Sequence, residues 1–93
     1  MDLVDWSFAE DHVWQRHGVP VQWLTEALSD LEALVLTPDP ASRSGRSVRT
    51  IGLSLSAGCL ITVITVEADG VTYGVNGWKS NKIDIHRYEE EEQ

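Results

Sequence analysis

Cys59-Leu60-Ile61-Thr62-Val63-Ile64-Thr65-Val66 is an unbroken run of apolar and β-branched side chains, bounded by Gly58 and by Ala68-Asp69-Gly70. Such a run reads as an apolar strand. It is far below the roughly 18 to 20 residues needed to span a bilayer. On its N-terminal side, Val48, Ile51, Leu53 and Leu55 give a second strand, turned at Ser56-Ala57-Gly58. On its C-terminal side, Val71 to Trp78 gives a third after the Asp69-Gly70 turn. Consecutive short turns imply an antiparallel meander.

The rest of the chain supplies what packs on that meander. Leu34-Val35-Leu36 reads as a short strand stopped by Thr37-Pro38-Asp39-Pro40, whose prolines cannot donate to a ladder, and residues 41–46 follow as a mobile polar loop. Upstream, Trp23, Leu24, Ala27, Leu28 and Leu31 recur at helical spacing after Pro20, predicting an amphipathic helix with proline in its first turn. A shorter helix is expected from Ala9 to His17, with Val13 and Trp14 as its apolar pair and Gly18 past its end. Leu3 to Phe8 alternates as a half-buried strand, leaving Trp6, Trp14 and Trp23 available to the core. Lys82 to Tyr88 alternates like a strand, but its run into four glutamates suits a solvated closing helix, frayed over 89–93. The expected fold is a single α+β domain over residues 1–93. Its antiparallel sheet combines the N-terminal strand with the C-terminal meander, two N-terminal helices pack on the sheet, and a short helix ends it.

Composition and charge narrow the function. A chain of 93 residues buries only roughly 60 to 65% of its unfolded surface, so its stability is marginal or partner-assisted. With no apolar span and no basic start at Met1-Asp2-Leu3-Val4-Asp5, a cytoplasmic location without membrane contact is expected. The lone cysteine, Cys59, reads as a small core residue. The net charge of −8 is segregated: residues 1–40 carry eight acids against one base, Arg16, a balance of −7. Residues 41–88 carry six bases against three acids, a balance of +3, and Glu89 to Glu92 add −4. An acidic front half and tail argue against strong non-specific nucleic-acid binding, while the central section permits a local anion site.

The polar chemistry concentrates in Val75-Asn76-Gly77-Trp78-Lys79-Ser80-Asn81, which places amides, an indole and an ammonium at the end of the last strand. A base-stacking ring and a phosphate-binding cation could be presented together there, with Arg46 and Arg49 converging on them. Each has a plainer role. Trp78 suits a core, and Lys79 suits an edge strand guarded against aggregation. His17 before Gly18 could cap the last carbonyls of its helix rather than act as a base, and His86 and Tyr88 could lie on a solvated helix. His12 and His17, five apart, do not share a helical face, and no metal or other cofactor is expected.

In sequence the chain resembles the BrnT group of bacterial toxins, within the RelE-like ribonuclease superfamily. The resemblance rests on Trp6 in the first strand and on Arg16-His17-Gly18-Val19, where the family writes Lys-His-Gly-Val or close to it. It continues with the second helix, a basic residue (Arg46 or Arg49) ahead of Ile51-Gly52, the apolar Leu60 to Val66, and a last strand running into a basic segment that ends at Tyr88. Val75-Asn76-Gly77-Trp78-Lys79-Ser80 stands in register with a family pattern resembling Ile-Ser-Ala-Arg-Lys-Ala, with Trp78 in place of the arginine.

The resemblance implies a RelE/BrnT-like fold and a toxin that cleaves RNA without metal and is neutralised by a DNA-binding antitoxin. Lys79, Arg46, Arg49, His17 and His86 are the catalytic candidates, and Trp78, Asn76, Arg43, Lys82, Arg87 and Tyr88 the RNA-binding ones. Metal-independent cleavage needs a base for the 2′-hydroxyl proton, a cation for charge on the phosphate and an acid for the leaving oxygen. Two other classes stay open: an inactive relative that binds a basic protein such as an antitoxin or other small DNA-binding protein, and a small regulatory subunit that dimerises through its sheet.

Overall fold

In the computed structural model, residues 4–91 are described. Eight elements follow one another: β1 (Val4–Asp5), α1 (Glu10–His17), α2 (Val21–Leu28), β2 (Leu34–Leu36), β3 (Ser47–Ser54), β4 (Cys59–Ala68), β5 (Val71–Lys79) and α3 (Lys82–Glu91). The strands form one sheet in the order β1-β5-β4-β3-β2. The apolar run therefore becomes the central strand, and it is covered on both sides: Ile61, Thr62, Val63, Ile64 and Thr65 are all buried. Burial on both faces is why that segment shows no polar alternation. The hairpin from β4 to β5 turns through Asp69 (φ 54°) and Gly70 (φ 78°), consecutive left-handed residues of the kind a tight two-residue connection requires.

One face of the sheet receives α1 and α2. Val13 of α1, Leu24 and Ala27 of α2, and Ile61 and Val63 of β4 are fully buried in a common core, joined by Ala9 and Val19. Glycine sets how closely α2 approaches. A side chain at Gly52 would run into the Ala27 backbone, and one at Gly77 into the Leu24 side chain. Glu26 fixes the same helix to the β3–β4 turn, accepting the Ser56 N–H (2.9 Å), the Ser56 hydroxyl (2.6 Å) and the Ser54 hydroxyl (2.8 Å). Led by the Ser56 hydroxyl, these donors hold the Glu26 carboxyl down at about 2.

The other face carries α3, which the sequence expectation placed correctly as a helix. Asn81 starts it by accepting the Asp84 N–H on Oδ1 and the Ile85 N–H on its carbonyl, both at 2.9 Å. Asp30 ties this helix to β3: its Oδ2 accepts both the Leu53 N–H and the Tyr88 hydroxyl at 2.8 Å. Burial pushes the Asp30 carboxyl up, but those donors and the Glu32 N–H outweigh it and leave it below the usual range. The helix continues through Glu89 and Glu90, where a frayed tail was expected; Glu92 and Gln93 lie outside the described residues.

Three expectations need correction. The first strand is only Val4–Asp5, its expected Leu3 start lying outside the described residues, because turn chemistry intervenes: Asp5 Oδ1 accepts the Ser7 N–H (2.8 Å) and hydroxyl (2.6 Å). That strand also runs parallel to β5, pairing Val4 with Thr72 and Asp5 with Tyr73, so the sheet is mixed rather than wholly antiparallel. The turn after Asp5 sends the chain straight across the sheet as α1, with no hairpin to reverse it. Finally, Leu31 lies beyond the end of α2 and is fully exposed, and Trp14 is 58% exposed, so neither fills the core. No helix among the described residues is long and apolar enough to cross a membrane.

Two measurements check this packing. Gly52→Ala should lower unfolding stability by about 2 kcal/mol or more in urea titrations, since the new methyl meets backbone that cannot rotate away; a variant as stable as the parent would rule out that close approach. Because the Glu26 carboxyl lies at about 2 folded and 4.5 in its ordinary state, its contribution is complete above about 4.5 and is lost as pH falls towards 2. Glu26→Gln should flatten the stability profile in that acid window, and a profile parallel to the parent's would remove Glu26 from the account.

Candidate nucleic-acid interface

Strand alternation decides which of the expected residues can meet. On β5, Trp78 pairs with Thr62 and Lys79 with Ile61, and adjacent residues of a strand point to opposite faces. Lys79 lies on the face that carries α1 and α2, its ammonium 5.6 Å from the Trp23 ring centroid. Trp78 lies on the face shared with Arg49, whose guanidinium carbon is 5.6 Å from the indole centroid. The expected pairing of Trp78 with Lys79 on one surface is therefore separated by the thickness of the sheet.

Arg49 is engaged within the protein. Its Nε donates to Asp39 Oδ1 and its Nη1 to Asp84 Oδ2, both at 2.8 Å. Asp84, fully buried, also accepts the Thr62 hydroxyl at 2.9 Å and Arg87 Nη1 at 2.9 Å, while Thr62 shares a further 2.7 Å hydrogen bond with Ser80. Two guanidinium groups thus face two carboxylates, a balanced set in which neither arginine presents net charge to a phosphate. Among the described residues, no buried side-chain nitrogen or oxygen lacks a hydrogen-bond partner. Tyr88 is held by Asp30, and His86 pairs with Glu90 at 3.1 Å on the exposed side of α3. Arg43 and Arg46 lie exposed on the loop before β3, and Lys82 is exposed at the first turn of α3.

A different constellation surrounds Trp78. His12, Arg16 and His17 from α1 and Asn76 and Trp78 from β5 line an open groove of about 510 Å³. Arg16 and His17 occupy the last turn of α1, where cationic groups complement the helix dipole. Gly18, at φ 65°, ends that helix with its N–H on the Trp14 carbonyl at 2.9 Å. This backbone cap leaves the His17 ring to lie against Trp78, with ring centroids 5.8 Å apart and planes tilted by 48°. Asn76 Oδ1 accepts the Gly77 N–H at 2.9 Å, which fixes the amide plane.

Of the expected site residues, the structure brings together His17, Trp78 and Asn76. It adds two that were not among the expected site residues: Arg16, read as the lone base of an acidic half and as the start of the Arg16-His17-Gly18-Val19 motif, and His12, considered only as a metal ligand. The signal for both was the helix period. His12 and Arg16 stand four apart on one face, and His17 follows at the helix end, so the groove gathers an arc of α1 rather than a single stripe.

The groove combines two imidazoles, a guanidinium, an indole and an amide. Such a set can orient a phosphodiester and move protons around it. Neither the known protein-family models nor the curated proteins give a match to this chain.

The ion network and the groove make separable demands on stability. Asp84→Ala leaves Arg49 and Arg87 with Asp39 as the one carboxylate of the network and should cost about 3–5 kcal/mol, whereas His17→Ala, at an exposed position, should leave the unfolding midpoint nearly unchanged. Thermal and urea unfolding of both variants checks this. Equal losses would mean that the groove is part of the folding core.

Proposed function

We propose that the chain is a BrnT-like toxin of a bacterial toxin–antitoxin pair, a RelE-like ribonuclease that acts on RNA in the cytoplasm and is neutralised by a cognate DNA-binding antitoxin. The single observation that carries this reading is the groove in which His12, Arg16, His17, Asn76 and Trp78 converge. The order of a strand, two helices, four strands and a closing helix accords with the expected family architecture.

In the proposed reaction one imidazole of the His12 and His17 pair takes the 2′-hydroxyl proton, and the 2′-oxygen bonds to the adjacent phosphorus. The bond to the 5′-oxygen breaks, and the other histidine returns a proton to it, leaving a 2′,3′-cyclic phosphate and a free 5′-hydroxyl. Arg16 balances the charge that develops on the phosphate oxygens, and Trp78 offers a stacking surface to a neighbouring base. Arg16-His17 belongs to the motif that carries the family resemblance, so the motif and the geometry direct attention to one helix end.

One observation favours a second reading, an inactive protein-binding module. Trp14, 58% exposed, lies with Pro20 and Val21 in a cleft that also holds Glu10 and Asp11. An apolar floor beside acids suits a basic partner, and on this reading the chain needs no chemistry of its own.

Induced expression in bacteria separates the two. The ribonuclease reading expects growth arrest and RNA cleavage by the parent chain, with His17→Ala lowering the cleavage rate about 10²-fold or more and Lys79→Ala leaving it within a few-fold. Intact growth and intact RNA under the parent chain would refute the enzyme. Equal losses in the two variants would move the site away from the groove.

A further inference from the structure

Helix α1 has two chemically different flanks. His12 and Arg16 stand four apart and line the groove, while Glu10 and Asp11 precede Trp14 by four and three residues and share the other flank. At about 100° per residue, Trp14 lies about 160° around the helix from both His12 and Arg16. On its own side Trp14 lines a cleft of about 230 Å³ with Glu10, Asp11, Pro20 and Val21, where the chain passes from α1 into α2. The indole is 58% exposed, and among the described residues no other ring or cation lies against it. Nor does any ion pair or side-chain hydrogen bond among those residues engage the Glu10 and Asp11 carboxylates. Acids in the first turn complement the helix dipole, which accounts for the two carboxylates. It does not account for a tryptophan left in water beside them.

The chemistry of the cleft chooses its occupant. An indole face next to two unpaired carboxylates calls for a cation, and arginine suits both, because its flat guanidinium stacks on an indole and forks to a carboxylate. The cleft is smaller than the roughly 300 to 1,000 Å³ of small-molecule pockets, so it takes one or two side chains of a peptide. RNA phosphates would be repelled by the carboxylates. A second copy of this chain, itself at −8, would be repelled over the wider surface, whereas the −7 balance of residues 1–40 attracts a basic protein. We infer that this flank of α1 docks a basic segment of a partner protein. An arginine of the segment lies over Trp14 and pairs with Glu10 or Asp11, and a neighbouring apolar side chain packs on Pro20 and Val21. Because the groove opens on the opposite flank, the partner and a groove ligand bind at the same time. The inference rests on the reading of the cleft as a partner's site, and it holds whether or not the groove carries out chemistry.

Titration of the full chain with a blocked hexapeptide, Arg-Ala-Leu-Arg-Ala-Leu, followed by NMR at the indoles of all four tryptophans, tests it. The Trp14 indole and the Val21 methyls should shift, while the Trp78 indole and the His12 and His17 rings stay in place. Trp14→Ala should weaken binding about fivefold. Glu10→Gln combined with Asp11→Asn should weaken it by a similar factor and flatten its dependence on salt. Glu89→Gln combined with Glu90→Gln removes the same charge from exposed positions on α3, across the sheet, and should leave the affinity within about twofold. Shifts centred on Trp78, unchanged binding in Trp14→Ala, or equal weakening by the two charge pairs would overturn the docking on α1 and leave a basic partner standing. A peptide that binds nowhere on the chain would overturn both the docking and the basic-partner reading on which it rests.

Discussion

Arg49 sits between two carboxylates, Asp39 after β2 and Asp84 on α3, with the Trp78 indole beside its guanidinium. These contacts join the loop that precedes the meander, the interior strand β3, the last long strand and the closing helix. A guanidinium with only 9% of its residue surface exposed is tolerated only when its charge and its donors are both met, and Asp84 meets that demand while also accepting from Thr62 and Arg87. Most of the interior is fastened by apolar contact that tolerates small shifts, whereas this network has directional bonds near 2.8 Å and fixes where α3 lies.

That constraint shapes the surface available for function. With Arg49 and Arg87 matched to Asp39 and Asp84, the basic excess of the middle section does not gather into a phosphate site. Lys79 is on the other side of the sheet with Trp23, and Arg43 and Arg46 are on the exposed loop. The guanidinium that lines the groove instead belongs to Arg16, from the half of the chain with the most acidic balance. Local charge at a groove is set by which side chains the fold assembles there, and segment totals do not record that.

Much of the architecture was legible because its signals are local. The apolar run from Cys59 to Val66, the Asp69-Gly70 turn and the Gly18 stop each specify a conformation within a few residues, and each has its expected form. Errors arose where a local pattern met a competing local bond or lost its partner. Alternation from Leu3 to Phe8 is cut by the Asp5–Ser7 turn, and Leu31 continues the apolar spacing of α2 but falls past its last turn. The parallel pairing of β1 with β5 depends on residues about seventy positions apart and has no local signature.

The candidate site divides in the same way. Sequence by itself determined the α+β class and the order of the helices and the meander, and it singled out Asn76, Trp78 and His17 as candidate residues. Period-two alternation in β5 already implied that Trp78 and Lys79 face apart, since neighbouring side chains of a strand leave opposite sides. Only the tertiary structure decided that the last turn of α1 meets the face of β5 that bears Trp78, and that Arg49 is used within the fold. Both outcomes depend on which distant elements supply the neighbouring atoms, and the distances that pair a charge with a carboxylate or leave it facing a groove exist only once those elements have packed.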